Sequence, residues 1–344
     1  MTLFANHPGS KIPCSLLLLF ALSACSSPVT IPTTAASPSA STIAYRQLDP
    51  FVCDNTSTKD TPTKPHLAGV ATNITLKNKL LVFLPGTSGT PGDHQKFLKV
   101  AALAGYHVLG LQYPNAVALG DKCGNDLAAY GLARQEICTG TDSSPITEIS
   151  VSSADSIQTR LLKAIQYLNT NYPSENWASY LSAGTIDWSK IFLAGYSQGA
   201  GHAAWLAANH PVAGVLLFSG VVDASYSNGG GTAVSATWLS DAATPSGSPT
   251  QFGATARSKF RWFVNTGDGF YSGIKANLQT MGFGSAEAST PQSVDGTSPP
   301  YNNKTLLATS HAPNAHASTC EDASTPLNPD SSPIFSQVWN YLLQ

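Results

Sequence analysis

The segment that most restricts the fold is Ile191-Phe192-Leu193-Ala194-Gly195-Tyr196-Ser197-Gln198-Gly199, continued by Ala200-Gly201-His202-Ala203-Ala204. A short apolar run leads into Gly-x-Ser-x-Gly, and small, helix-compatible residues lead out. The run reads as a buried strand and the small residues as a helix over 199–208. The turn between them must be sharp, and glycines on both sides leave room where strand and helix crowd together. Such a turn lifts the central hydroxyl above the end of a sheet. Ser197 is therefore the candidate nucleophile.

The remainder of the chain supplies a sheet for that strand. Residues 68–76 and 79–84 read as strands, the second a run of Leu, Val and Phe. Pro85-Gly86-Thr87-Ser88-Gly89 breaks it, residues 95–103 carry helical spacing, and 106–111 are strand again. Strand, helix, strand implies a βαβ unit and a parallel sheet. Residues 114–151 are irregular and read as an insertion. A helix over 153–168 places Ile157, Leu161, Leu162, Ile165 and Leu168 on one stripe, with Asp155 at its N-terminus, where the helix dipole favours an anion. Two more strands are expected at 215–218 and 260–264, separated by a Gly- and Ser-rich stretch over 226–258, and a final helix at 338–343. The order predicts an α/β domain with a doubly wound, mostly parallel sheet.

A serine hydroxyl needs a base within hydrogen-bond reach, and that base needs a carboxylate to orient it. After such a turn the expected chain order is Ser, acid, His. Asp268, in the turn Thr266-Gly267-Asp268-Gly269 after an expected strand, is the first candidate acid, with Asp223 the alternative. His202 and His210 fall in or at the end of the helix after Ser197 and read as packing or surface groups. His311 and His316 both lie late in the chain; His316, close to Cys320, is the first candidate base and His311 the alternative. An oxyanion would need two backbone N–H donors. Gln198 offers one, and Thr87, or next Ser88, the other. No GxxxxGK phosphate loop is present.

Charge and cysteine usage bound the setting. The 344 residues carry a formal net charge of −2 with only 11% charged residues, so nothing in the composition draws the chain to nucleic acid. Residues 15–22 form a short apolar run after Lys11, too short to span a bilayer, and read as a signal peptide over 1–24. Leu22-Ser23-Ala24-Cys25 resembles the bacterial lipobox, in which the Cys is acylated; the expectation is a membrane lipoprotein on the exported side. A Ser-, Thr- and Pro-rich tether is expected over 25–45, and the folded domain over 46–344. Cys53, Cys123, Cys138 and Cys320 remain, an even number suited to two disulfides. The expected pairs are Cys123 with Cys138, a local loop that stabilises by roughly 3 kcal/mol, and Cys53 with Cys320. No CxxC pair or zinc-ligand spacing accompanies them, and no metal is expected.

From residue 68 to the C-terminus the spacing of these elements resembles the α/β-hydrolase superfamily. Gly195-Tyr196-Ser197-Gln198-Gly199 resembles the nucleophile motif of cutinases. Leu84-Pro85-Gly86-Thr87, Asp155-Ser156-Ile157 with Arg160-Leu161, Ile186-Asp187-Trp188, Ser197-Gln198-Gly199-Ala200-Gly201-His202 and His316 before Trp339 resemble a bacterial hydrolase group. The resemblance implies Ser197, Asp268 and His316 as a triad, and a carboxylic-ester hydrolase that works through an acyl-enzyme without a cofactor. A polyester or lipid hydrolase and a serine peptidase are the rival chemistries. An inactive binding lipoprotein of the same fold is the rival outside catalysis.

Overall fold

A computed structural model describes residues 41–60, 63–226, 233–243, 250–283 and 290–344. The chain divides into Met1–Pro38 and Ser39–Gln344. The expected signal peptide, Cys25 and the tether up to residue 40 lie outside the described residues.

The larger unit is built on a nine-stranded sheet. In chain order its strands are β1 (Ile43–Leu48), β2 (His66–Ala71), β3 (Leu80–Leu84), β4 (His107–Gly110), β5 (Ile191–Tyr196), β6 (Gly214–Phe218), β7 (Phe260–Asn265), β8 (Gln292–Ser293) and β9 (Leu306–Thr309). They lie side by side as β1-β2-β4-β3-β5-β6-β7-β9-β8. β2 runs antiparallel to both its neighbours, and every pair from β4 onward is parallel. This is the doubly wound, mostly parallel sheet expected from the sequence. β1 begins at Ile43, inside the range expected to be tether, and pairs along its length with β2.

Period-two alternation divides the core between the two faces. In β3, Leu80, Val82 and Leu84 join one apolar cluster while Leu81 and Phe83 join another; in β5, Ile191 and Leu193 oppose Phe192, Ala194 and Tyr196. Because both faces are covered, these strands carry near-continuous apolar sequence. The first cluster is closed by three helices in which Ile137, Leu161 and Ala203 are buried: α3 (Ala129–Thr139), α4 (Ile157–Asn171) and α5 (Gln198–Asn209). The second is closed by α1 (Gln95–Leu103) and α8 (Ser336–Leu342), through residues such as Phe97 and Trp339. Helix α4 starts at the first residue of its stripe, four residues after the expected start at 153, because Ser156 caps it by accepting from the N–H of Thr159. Asp155 is drawn instead to Arg160, 2.7 Å away, and to the N–H groups of Thr58 and Lys59.

The segment expected as an insertion at 114–151 is ordered into a short helix α2 (Leu119–Cys123) and α3. Part of the Gly- and Ser-rich stretch forms α6 (Thr237–Ala243). Helix α7 (Tyr271–Thr280) follows the turn after β7.

The expected disulfides are absent: Cys53, Cys123, Cys138 and Cys320 are all free thiols. Cys53 packs on the cluster of one sheet face and Cys320 belongs to the cluster of the other, so the sheet itself stands between them. Cys123 ends α2, whereas the Cys138 sulfur on α3 turns to Nδ1 of His202 at 3.8 Å. Burial pushes the Cys123 thiol up to about 11, and burial together with Asp49 and Asp54 pushes Cys53 up to about 12.

Candidate active site

The Ser197 turn has the geometry its sequence requires. Ser197 has φ 53° and ψ −118°, a left-handed backbone that non-glycine residues rarely adopt, between the end of β5 and the first residue of α5. A Cβ on Gly199 would lie 2.1 Å from the carbonyl oxygen of Leu84, and one on Gly195 would lie 2.3 Å from that of Gly199. The motif's glycines are thus fixed by close approach of backbones. The Ser197 N–H is held by the carbonyl of Phe218 at 2.9 Å.

Asp268 and His316 come to this hydroxyl from two separate loops. His316 Nε2 is 2.8 Å from Ser197 Oγ, and His316 Nδ1 is 2.7 Å from Asp268 Oδ2. The Asp268 side chain is fully buried, whereas 28% of the His316 side chain is exposed. Asp268 sits in a turn after β7 in which the Asn265 carbonyl accepts its N–H, and its second oxygen accepts the N–H of Phe270 at 2.9 Å. The His316 loop follows β9 and is fastened at three points. The Ser219 hydroxyl donates to the His316 carbonyl at 2.7 Å, Asn265 Nδ2 donates to the Ser318 hydroxyl, and Trp339 Nε1 donates to the Thr319 carbonyl. The His316 ring lies against Tyr196 and Phe270, at centroid distances of 5.2 and 5.1 Å.

The alternative acid and base have other partners. Asp223 is fully buried and forms a two-point ion pair with Arg134 on α3, its Oδ2 also accepting from Trp238 Nε1 at 2.9 Å. Arg134 also donates to the Gln198 carbonyl at 3.1 Å, so the pair braces the start of α5 from behind. His311 is exposed on a surface hollow lined by Asp295, Ser310 and Phe335, and its carbonyl accepts from Asn265. His202 is buried against Tyr113 and Cys138, and His210 is stacked on Trp188.

The loop after β3 lies across from the Ser197 turn. Asn115, fully buried, holds it by donating Nδ2 to the carbonyls of Gly86 and Gly89 at 2.7 and 2.9 Å and accepting the Ser88 N–H on its own carbonyl. The Ser88 N–H is thereby occupied. Gln198 opens α5, so its N–H is one that the helix leaves without an intrahelical acceptor. The Gln198 side-chain oxygen accepts the Thr87 hydroxyl at 3.2 Å and the Leu119 N–H at 3.0 Å, tying Thr87 and α2 to the start of α5. Sequence reasoning did not find Asn115, Arg134, Ser219 or Phe270. The Pro114-Asn115 turn chemistry after β4 is a weak signal for the first, and Phe270 follows Asp268 by two residues; a buried arginine on a helix leaves none.

A cleft of about 310 Å³ opens beside Ser197, with walls from α2 and its flanks (Leu119, Gly120, Gly124), from Thr87 and Gln198, from Val222 to Tyr226, and from Phe270. Both the insertion and the start of the Gly-rich stretch therefore contribute to it.

No protein-family model and no curated protein matches this chain. Among solved structures it is similar to a thermostable esterase from Pseudomonas putida, at 12% identity and a TM-score of 0.42, over 90% of this chain and 84% of that one. An acetyl xylan esterase from Aspergillus awamori matches at 14% identity and a TM-score of 0.34, over 72% of this chain and 83% of the other. A putative dienelactone hydrolase from Klebsiella pneumoniae matches at 11% identity and 0.36, over 87% and 95% of the two chains. Likenesses this distant transfer neither a substrate nor a residue role to the present chain.

Proposed function

We propose that this protein is a serine hydrolase that cleaves carboxylic esters through an acyl-enzyme intermediate. The observation that carries the reading is the continuous Ser197–His316–Asp268 relay, with contacts of 2.8 and 2.7 Å, on a left-handed turn at the edge of a cleft. Ser197 Oγ bonds to the ester carbonyl carbon as its proton passes to His316 Nε2. The oxyanion is held by the N–H groups of Gln198 and Thr87. Collapse breaks the bond to the alcohol oxygen, which takes the proton from His316. Water then gives a proton to the same nitrogen, attacks the acyl carbon, and releases the acid while Ser197 recovers its proton. The Asp268 carboxylate holds the ring by Nδ1–H and stabilises the imidazolium. The intact relay speaks against an inactive binding protein. Lipids, polyesters and peptides present the same acyl carbon, and turnover of a matched set of each against simple esters separates those chemistries.

A fluorophosphonate probe is expected to label the purified chain and to fail on Ser197→Ala. Labelling that survives this substitution would place the nucleophile elsewhere. Ester hydrolysis is expected to vanish in His316→Ala and persist in His311→Ala, and the reverse result would exchange the base.

We also propose that residues 1–24 direct export and that Cys25 carries a lipid anchor, supported by the apolar run and Leu22-Ser23-Ala24-Cys25. Expressed full-length in bacteria, the chain should sediment with membranes and Cys25→Ala should not; identical fractionation of the two would remove the anchor.

A further inference from the structure

An exposed aromatic ring stands beside the base of the relay. Phe270 is 43% exposed, lines the same cleft as Ser197, and has its centroid 5.1 Å from that of His316. Tyr226, 37% exposed, lines the cleft 6.4 Å from Phe270, centroid to centroid. Of the two rings against His316, Tyr196 belongs to the buried core, so Phe270 alone presents a face to solvent. What places Phe270 is its backbone: its N–H donates to Asp268 Oδ1, and it caps α7. A large apolar side chain is thus fixed at the mouth with no partner among the described residues that buries it.

The chemistry of acylation decides which part of a substrate meets that ring. This step rests on the hydrolase reading above. As the ester C–O bond breaks and the carbonyl carbon bonds to Ser197 Oγ, the proton taken from Oγ passes from His316 Nε2 to the leaving oxygen. That oxygen must then lie within hydrogen-bond reach of Nε2. The oxyanion points the other way, to Gln198 and Thr87. The carbon skeleton of the alcohol therefore extends over the exposed neighbour of the imidazole. We propose that Phe270, with Tyr226 behind it, forms a leaving-group subsite that selects esters whose alcohol portion carries an aromatic ring.

Butyrate esters of ethanol and benzyl alcohol test this. Both alcohols are poor, similar leaving groups, and both esters form the same acyl-enzyme, so a difference in kcat/KM reports acylation alone. The wild-type chain is expected to favour benzyl butyrate by about tenfold, the upper range of an aromatic contact. Phe270→Ala should bring the ratio toward one, and Phe270→Tyr should keep it. Fluorophosphonate labelling of Phe270→Ala shows that the relay is still assembled. A ratio unchanged in Phe270→Ala, or no benzyl preference in the wild type, overturns the subsite. A wild-type chain that hydrolyses neither ester and resists the probe instead removes the hydrolase reading itself.

Discussion

Asp268 and Asp223 are both buried, both follow a strand of the sheet, and their neighbours give them opposite work. Asp268 faces an imidazole that changes charge during the proposed reaction, whereas Asp223 faces a guanidinium that never does. Asp223→Asn would leave the Arg134 charge buried without its counterion, which costs about 3–5 kcal/mol. Urea unfolding should show that loss as a lowered midpoint. Asp268→Asn keeps the shape of the loop but presents an amide to His316 Nδ1, and kcat should fall by about 10⁴ with little change in midpoint. If Asp268→Asn proves the unstable protein and Asp223→Asn the inactive one, the assignments must be exchanged. Sequence offered both aspartates because turn position is all that it exposes. The partner that separates them, Arg134, is an unremarkable helix residue until α3 packs on α5. The two histidines separate in the same way, since only the fastening of 316–319 by Ser219, Asn265 and Trp339 shows which loop is held against Ser197.

At the scale of elements, what could be read beforehand follows from burial on two faces. β3, β5, β6 and β7 are covered by helices above and below, so each is a largely apolar run that stands out from its surroundings, broken inside β7 by Arg261. β8 has two residues and β9 four, too little sequence for any periodicity to develop, although β9 delivers the loop that carries His316. β1 is an edge strand with a mixed pattern and was masked by the polar composition before it. The cysteines show a different limit. Their even number invites pairing, but pairing is a matter of which face of the sheet each thiol occupies, and chain distance does not encode that. Cys53 and Cys320 are separated by the sheet, while Cys138 spends its sulfur on His202 within the α3–α5 contact. Ordering of 114–151 into α2 and α3 has a further consequence: the segment that looked irregular supplies one wall of the cleft and, through Arg134, the brace behind Gln198.

At the scale of the whole molecule, three fully buried histidines among the described residues make stability depend on pH. Burial, with Arg160 adding to it, lowers His66 to about 3, and its Nδ1 already accepts the Gln112 N–H, so no proton can be added there without losing that bond. Burial lowers His94 to about 4 against the opposing pull of the Cys320 carbonyl, and burial with Arg134 holds His202 well below its ordinary range. In the unfolded chain each titrates near 6.5. Between that value and the folded values the unfolded chain binds more protons, so stability falls as pH falls, by about 1.4 kcal/mol per pH unit for each histidine fully in its window. Above about pH 7.5 these groups are neutral in both states and contribute no slope. Glu321 and Asp322 act in the opposite direction near the acid end: burial raises both, with Asp93 adding to it, so the folded state takes up their protons first and offsets part of the loss. The urea midpoint should therefore be level near pH 7.5–8, decline steeply from about pH 6.5 to 5, and fall again above about pH 8.5, where the unfolded chain loses the protons that buried Cys53 and Cys123 keep. His94→Gln, which keeps a donor for the Cys320 carbonyl, should reduce that slope by about one proton. A midpoint that stays flat from pH 7.5 to 5 would mean that these imidazoles find water or counter-charge in the folded protein, against the aromatic packing of Phe83 and Tyr196 on His94 and of Tyr113 on His202.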